Sequence, residues 1–297
     1  MNELVTVFTP TYNRKHLLPR AYEAIKRQTS KNFIWMIVDD GSTDNTDSLV
    51  KSWIDENIVK IEYIKKDNGG VGSAYVTAIN NCHTELIVAV DSDDFLPDNG
   101  IELIEDLWCK NTDPNIAGIV AIDKYLDGRV VGDLLPDVKT INLIDLLTGK
   151  YGINNGDRTD VVRTQVYKEA IHSDEYNEKL CFEPHNIHLI LSKKYDFIVC
   201  NECLKIIEYQ NDGLTKTLYK RYIKYAENFV LTRLLYLSLP HTNVKFKVKT
   251  YLHLCAECFL CNDLRYIKRV PSKLMFIIML FPGLLLSFYI KEKEKNM

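Results

Sequence analysis

The chain has 297 residues, a formal net charge of -3, 46% hydrophobic and 26% charged residues. That balance excludes a disordered or fibrous polymer and suits one large globular domain with additions, or two small domains. The charge is unevenly divided, because residues 1–215 carry 22 Lys and Arg against 35 Asp and Glu, whereas residues 216–297 carry 15 against 5; an acidic body precedes a basic tail suited to nucleic acid or an anionic membrane.

The opening MNELVTVFTP runs into a strand pattern without a charged and then apolar leader, so no secretory signal is expected and the body is placed in the cytoplasm. Apolar runs then alternate with helical patterns. VTVFT precedes a helix from about His16 to Gln28, FIWMIV one starting near Thr46, VKIEYI one near Val71 to Asn81, and LIVAV one after Asp98, an apt N-cap for IELIEDLW. This rhythm predicts an α/β fold of right-handed βαβ units, with a mostly parallel sheet covered by helices on both faces. Beyond residue 115 the alternation weakens into strands near IAGIVAI and DVVRT, helices near INLIDLL and PHNIHLILSKK, and a long strand-like FIVCNECLKIIEY.

From Thr217 to about Arg269 the pattern is mostly helical, and the change from acidic to basic near Gly213 gives expected domains of 1–215 and 216–297. Within the second, Leu274 to Ile290 contains no charge over 17 residues, short of the roughly 20 that a straight spanning helix needs. Pro282-Gly283 interrupts it, and Arg269, Lys273, Lys291, Lys293 and Lys295 flank it. If both flanks prefer the anionic cytoplasmic side, the segment at about 272–290 dips into that leaflet and returns, or lies along it. A buried C-terminal helix or a dimer contact is the alternative. The eight Cys, mostly in apolar contexts, read as reduced buried thiols. Cys255, Cys258 and Cys261 stand at three-residue steps that mark one side of a helix and lack the fourth ligand of an iron–sulfur set.

In sheets of this kind ligands bind at the carboxyl ends of the strands. The polar residues gather there, in TPTYNR, DDGSTDNTD, KKDNGG and DSDD. Asp91, Asp93 and Asp94 repel one another unless a cation or ligand offsets them, and hard carboxylate ligands at Asp91 and Asp93 suit Mg2+ or Mn2+ carrying a diphosphate. After FIWMIV, Gly41 permits a sharp turn that Thr43 or Asp44 can cap into the next helix. Asp39 and Asp40 can accept hydrogen bonds from a base or ribose, and Tyr12 offers a ring for stacking. The Gly69-Gly70 turn can add backbone N–H groups.

FTPTYNR, IVDDGSTDNT, NGG and VDSDDF, in that order, resemble the family 2 glycosyltransferases of the GT-A fold over roughly the first 110 residues. GDRTDVVRT, EKLCFEPHNIHLI and EYQNDGLT further resemble a bacterial subgroup that builds capsular polysaccharide or lipopolysaccharide O-antigen, to about residue 215. The resemblance implies an inverting transfer of a sugar from a nucleotide diphosphate sugar, usually a UDP sugar, to an acceptor hydroxyl. By motif position Tyr12 and Asp40 hold the base, Asp39 supports the turn, Asp91 contacts ribose or metal, and Asp93 is the main ligand of Mn2+ or Mg2+. Pro10, Asn13, Asn68, Gly69, Gly70 and Ser92 complete the implied nucleotide-sugar site.

Direct displacement needs a general base on the acceptor side. Glu183 in FEPH occupies the family's place for it, although Pro184 replaces the partner Asp of the usual acidic pair, and Glu183 can equally serve the helix dipole. Asp160 in DRTD is the alternative, or orders Arg158 or Arg163 near the sugar or pyrophosphate. NDGLTK, 211–216, reads either as a lid with Lys216 as counter-charge or as a plain loop. His185 and His188 are read as two polar-face histidines in preference to a metal pair. The implied partners are a nucleotide-sugar donor, a lipid-linked glycan acceptor and the cytoplasmic membrane surface, with no nucleic acid, at the inner face of the cell membrane. A sugar nucleotidyltransferase is a competing reading, but it would place a glycine-rich basic loop where TPTYNR stands. The other, a non-catalytic membrane or nucleic-acid binding module, fits poorly with the intact acidic cluster.

Overall fold

The computed structural model describes residues 3–153, 156–208 and 218–295. The chain divides into two compact units, Met1–Tyr209 and Gln210–Met297. The first opens with β1 (Val5–Thr11), α1 (Leu18–Arg27), β2 (Phe33–Asp39), α2 (Thr46–Glu56), β3 (Ile61–Lys65), α3 (Val71–Asn81), β4 (Leu86–Ala89) and α4 (Gly100–Trp108). It continues with β5 (Ile116–Tyr125), β6 (Thr140–Ile141), α5 (Leu143–Leu147), β7 (Arg158–Arg163), α6 (Thr164–Ile171), α7 (His185–Leu191) and β8 (Asp196–Ile207).

These strands form one sheet in the order β3-β2-β1-β4-β7-β5-β8-β6. Strand β1 runs parallel to β2 and β4, β2 to β3, and β5 to β8. Every residue of β2 is buried, as its unbroken apolar run requires of a strand covered on both faces. Antiparallel β7 sits between β4 and β5. Gly118 in β5 permits that approach, since a Cβ there would stand 1.8 Å from the Val161 carbonyl oxygen. On one face, Tyr22 stacks on Trp53 with ring centroids 4.4 Å apart, and Trp35 donates its indole N–H to Thr9 Oγ1 at 3.0 Å, which fixes β1, β2, α1 and α2 together.

The N-cap position of helix α4 is Asn99 and not, as expected, Asp98, and the Ile101 N–H donates to Gln28 Oε1 at 3.1 Å. Asp98 instead accepts from Arg27 Nε at 3.0 Å, a charge-assisted bond unavailable to a cap aimed at its own helix. At the start of α2 the Asp44 side chain accepts from the Thr46 N–H and hydroxyl, at 3.2 and 2.6 Å.

The second unit contains α8 (Leu218–Lys224), α9 (Ala226–Ser238), α10 (Val244–Leu260) and α11 (Lys273–Lys295). Its core joins Val230 and Leu237 of α9 to Tyr251, Leu254, Cys255 and Cys258 of α10 and to Phe276 of α11. The Cys255 and Cys258 side chains thus pack as small apolar groups, and burial pushes the Cys255 thiol up to about 12. Pro282 lies inside α11, which continues as one helix. The expected dip and return at Pro282-Gly283 therefore does not form. Gly283 serves close packing instead, because a Cβ there would meet Cys255 Cβ at 2.4 Å. By length and composition α11 can cross a membrane, with a mean hydropathy of 2.0. It buries Phe276, Gly283, Ser287 and Ile290, and exposes Leu274, Ile277, Ile278, Phe281, Leu285 and Phe288.

Candidate active site

The register places the ends of β2, β1 and β4 side by side, because Thr11 pairs with Asp39 and Phe8 with Ala89. Asp39, fully buried, accepts from the Ser42 N–H at 2.7 Å and from the Tyr63 hydroxyl at 2.6 Å, which shapes the turn after β2. Gly41 at φ +87° makes that turn possible. Asn13, also in the left-handed region, receives the Thr43 N–H at 2.8 Å and donates its own N–H to Ser42 Oγ at 2.9 Å, locking the loops after β1 and β2 to each other.

Asp40 is held from several sides. Its Oδ1 accepts from Lys66 Nζ at 2.8 Å and from the Gly69 N–H at 2.9 Å, its Oδ2 accepts from the Gly70 N–H at 2.7 Å, and its carbonyl accepts from Asn68 Nδ2 at 2.9 Å. The glycine N–H groups therefore point at Asp40, not at an open phosphate position. Pro10 lies within β1 beside Val38. Tyr12, just past the strand, is 49% exposed, so its ring is free to stack on a planar group.

The acidic turn after β4 sorts its carboxylates by direction. Asp94 faces inward, 3.6 Å from the ammonium of Lys205 in β8, and Lys205 stands equally 3.6 Å from buried Asp123 in β5. Burial raises Asp94 to about 7 against the pull of Lys205. Burial also opposes the charge on Lys205, but Asp123, Asp94 and Asp91 outweigh it and lift Lys205 well above the ordinary lysine value. A backbone bridge between Phe95 and Ile206 pins the same turn to β8, with Ser92 buried inside it.

Asp91 and Asp93 stay outside that pairing, Asp91 exposed and Asp93 partly buried. Asp91 reaches solvent, and its carboxylate accepts no hydrogen bond among the described residues, while the protein around it raises its pKa by desolvation, with Lys205 opposing and Asp93 adding to the shift. Asp93 gives Oδ2 to Arg14 Nη1 at 3.0 Å, and its carbonyl accepts from Arg20 Nη2. Two neighbouring carboxylates with oxygen lone pairs to spare fit a hard divalent cation. Neither Lys205 nor Asp123 was anticipated as part of this site. The signal was an ionisable residue inside each of two apolar strand runs, IAGIVAIDKY and FIVCNECLKIIEY.

Asp160 lies in β7 one residue from the Val161–Val88 pair, close to the carboxyl end of β4. Alternation along β7 turns Thr159 the other way, where its hydroxyl donates to Asp123 at 2.6 Å. Asp160 orders neither arginine through a side-chain hydrogen bond. Arg158 donates to the main-chain oxygens of Val131 and Asp133, and Arg163 lies over the Tyr195 ring at 5.8 Å. Asp160 instead faces α7, with His188 Nδ1 2.6 Å from its Oδ2 and His188 Nε2 2.7 Å from the Tyr167 hydroxyl. His185 joins them, so the pair read as ordinary surface histidines converges with a carboxylate. Glu183 stands two residues before α7, partly buried. The expected lid at 211–216 lies outside the described residues.

A family model described as glycosyl transferase family 2 matches residues 6–185. Chondroitin synthase of Escherichia coli is 33% identical over 124 residues, which cover 42% of this chain and only 18% of that protein, so the chain spans under a fifth of that relative. Two solved structures share the fold at low identity. Staphylococcus aureus TarS 1-349 in complex with UDP-GlcNAc has a TM-score of 0.63 at 15% identity, covering 99% of this chain and 92% of that one. The mannosyltransferase PcManGT from Pyrobaculum calidifontis, in complex with GDP-Man and Mn2+, has a TM-score of 0.57 at 16% identity, covering 99% and 84%.

Proposed function

The chain belongs to glycosyltransferase family 2, and from that premise we propose that it moves a sugar, with inversion, from a UDP sugar to a hydroxyl of a lipid-linked glycan during assembly of a bacterial capsule, lipopolysaccharide or related surface polysaccharide. One observation carries the reading: exposed Tyr12, pre-positioned Asp40 and the carboxylate pair Asp91 and Asp93 stand at the ends of three adjacent strands.

Tyr12 stacks on the uracil, and Asp40 holds the loop of Asn68, Gly69 and Gly70 that closes one side of the nucleoside. Asp91 and Asp93, the carboxylates of a D-x-D motif, would hold Mn2+ or Mg2+, which supplies positive charge against the leaving diphosphate. Arg14, already beside Asp93, adds a second positive group there. Glu183 is the general base that takes the acceptor proton, with Asp160 the alternative. Incubating the protein with a UDP-sugar panel, Mn2+ and a lipid-linked oligosaccharide tests this. UDP release with an inverted glycosidic bond is expected. Retention of configuration, or pyrophosphate release from a nucleoside triphosphate in place of transfer, would contradict it.

Acceptor chemistry agrees with the second unit. The apolar face of α11, flanked by Lys273, Lys291, Lys293 and Lys295, suits the inner face of the cell membrane, while its opposite face is taken by α10. A helix with one face packed on protein and the other apolar and exposed suits the membrane interface.

A further inference from the structure

We propose that Asp160, His185 and His188 form a binding site for a transition-metal dication of the Zn2+ or Co2+ class, separate in its donor set from the Asp91 and Asp93 pair. One ligand atom from each lies within 4.8 Å of the other two. His185 and His188, one turn apart on α7, meet the carboxylate that β7 presents.

The contact between Asp160 and His188 leaves polar atoms of both side chains without a hydrogen bond. Nδ1 is 2.6 Å from Oδ2, yet Nδ1 makes no hydrogen bond, and the other carboxylate oxygen, Oδ1, is also buried without a partner. A hydrogen bond would aim the N–H along the line to the oxygen. Two ligands of one tetrahedral Zn2+ stand roughly 3.3 Å apart, so Nδ1 and Oδ2 separate slightly when a cation enters between them. The Asp160 side chain is only 7% exposed and adjoins a small pocket otherwise lined by Phe8, Tyr75, Ile79 and Ala89 together with Tyr167 and His188. A carboxylate in such apolar surroundings needs a positive partner.

The second shell is also in place. Tyr167 engages His188 Nε2 at 2.7 Å, and a proton on that nitrogen leaves Nδ1 with its lone pair toward Asp160. His185 is exposed, so its imidazole is open to solvent beside the buried Asp160 carboxylate. Two imidazoles and one carboxylate favour Zn2+, Co2+ or Ni2+ over Mg2+, the reverse of a carboxylate pair. Three protein ligands also leave open positions for water or a substrate oxygen.

The test is a Co2+ titration of the full chain, followed by visible absorption and reversed with Zn2+, which needs no glycosyl donor. Asp93→Ala, which removes the carboxylate site, is expected to keep a one-equivalent Co2+ spectrum without thiolate charge-transfer bands. His185→Ala, at an exposed position, is expected to lose about 100-fold or more in affinity, beyond what outer-shell changes usually cost, while its thermal unfolding without metal stays unchanged. Binding that is absent from Asp93→Ala, unaltered in His185→Ala, or carried by thiolate bands would overturn the proposal and leave Asp160 and His188 as an ion pair.

Discussion

Arg14 Nη1 donates to Asp93 Oδ2 at 3.0 Å, tying the loop after β1 to the acidic turn after β4. Arg14 thus holds one oxygen of the proposed cation ligand Asp93 and stands where a diphosphate would arrive. Arg14→Ala is expected to leave Mn2+ binding unchanged or tighter when Mn2+ is titrated alone. The same variant should bind UDP with Mn2+ about tenfold more weakly, equivalent to about 1.4 kcal/mol. Calorimetry with and without UDP separates the two effects.

Asp40 holds its own loop together in addition to the nucleotide contact proposed for it. Asp40→Ala leaves the Lys66 ammonium and the Gly69 and Gly70 N–H groups without their acceptor, an expected loss of about 2–3 kcal/mol in urea unfolding. Asp67→Ala, at an exposed position on the same loop, is expected to change stability by about 0.5 kcal/mol or less.

The two faces of α11 should respond differently to substitution. Phe281→Ser and Phe288→Ser, on the exposed face, are expected to reduce sedimentation with anionic vesicles while leaving unfolding unchanged. Gly283→Val forces a side chain into Cys255 and Ala256, and should destabilise the protein by about 1–3 kcal/mol. Vesicle binding of the full chain should weaken in high salt, since the flanking lysines act through a screened field.

Glu257 makes the second unit sensitive to pH. It is fully buried, with Arg233 Nη2 donating to it at 2.9 Å, and desolvation raises its pKa to about 7 against the pull of Arg233. The folded state therefore retains a proton that the unfolded state releases above the ordinary carboxyl range. The contribution of Glu257 to stability falls as pH rises from the ordinary value of 4.5 to about 7, then levels off. The difference in unfolding free energy between wild type and Glu257→Gln, measured across that window, should decline with rising pH.

Much of this architecture is legible in the chain, for reasons that differ by region. The runs ending at Thr11, Asp39, Lys65 and Ala89 are the strands of the parallel half, the edge strand β3 being only partly buried, and local apolar pattern and parallel pairing agree there. The helix read at Val71 to Asn81 has those bounds. The neighbours of β7 are not legible, because an antiparallel strand inserted between β4 and β5 is chosen by long-range packing such as the gap at Gly118. The pairing of Lys205 with Asp123 is illegible in the sequence for a related reason. Each is ordinary on a half-exposed strand, and only the tertiary fold places them against Asp94. The grouping of Asp160 with His185 and His188 likewise needs β7 and α7 to meet. At Pro282, helix α11 continues because packing of Gly283 against α10 outweighs a local helix breaker.

The most direct test of the central claim is calorimetric binding of UDP sugars to the full chain with and without Mn2+, alongside Asp93→Ala. Saturable binding of a UDP sugar that requires Mn2+ and is lost in Asp93→Ala is the predicted result. Binding of equal strength without the cation, or in the variant, would contradict the assignment of the crevice at Asp91 and Asp93 to a metal-bound diphosphate.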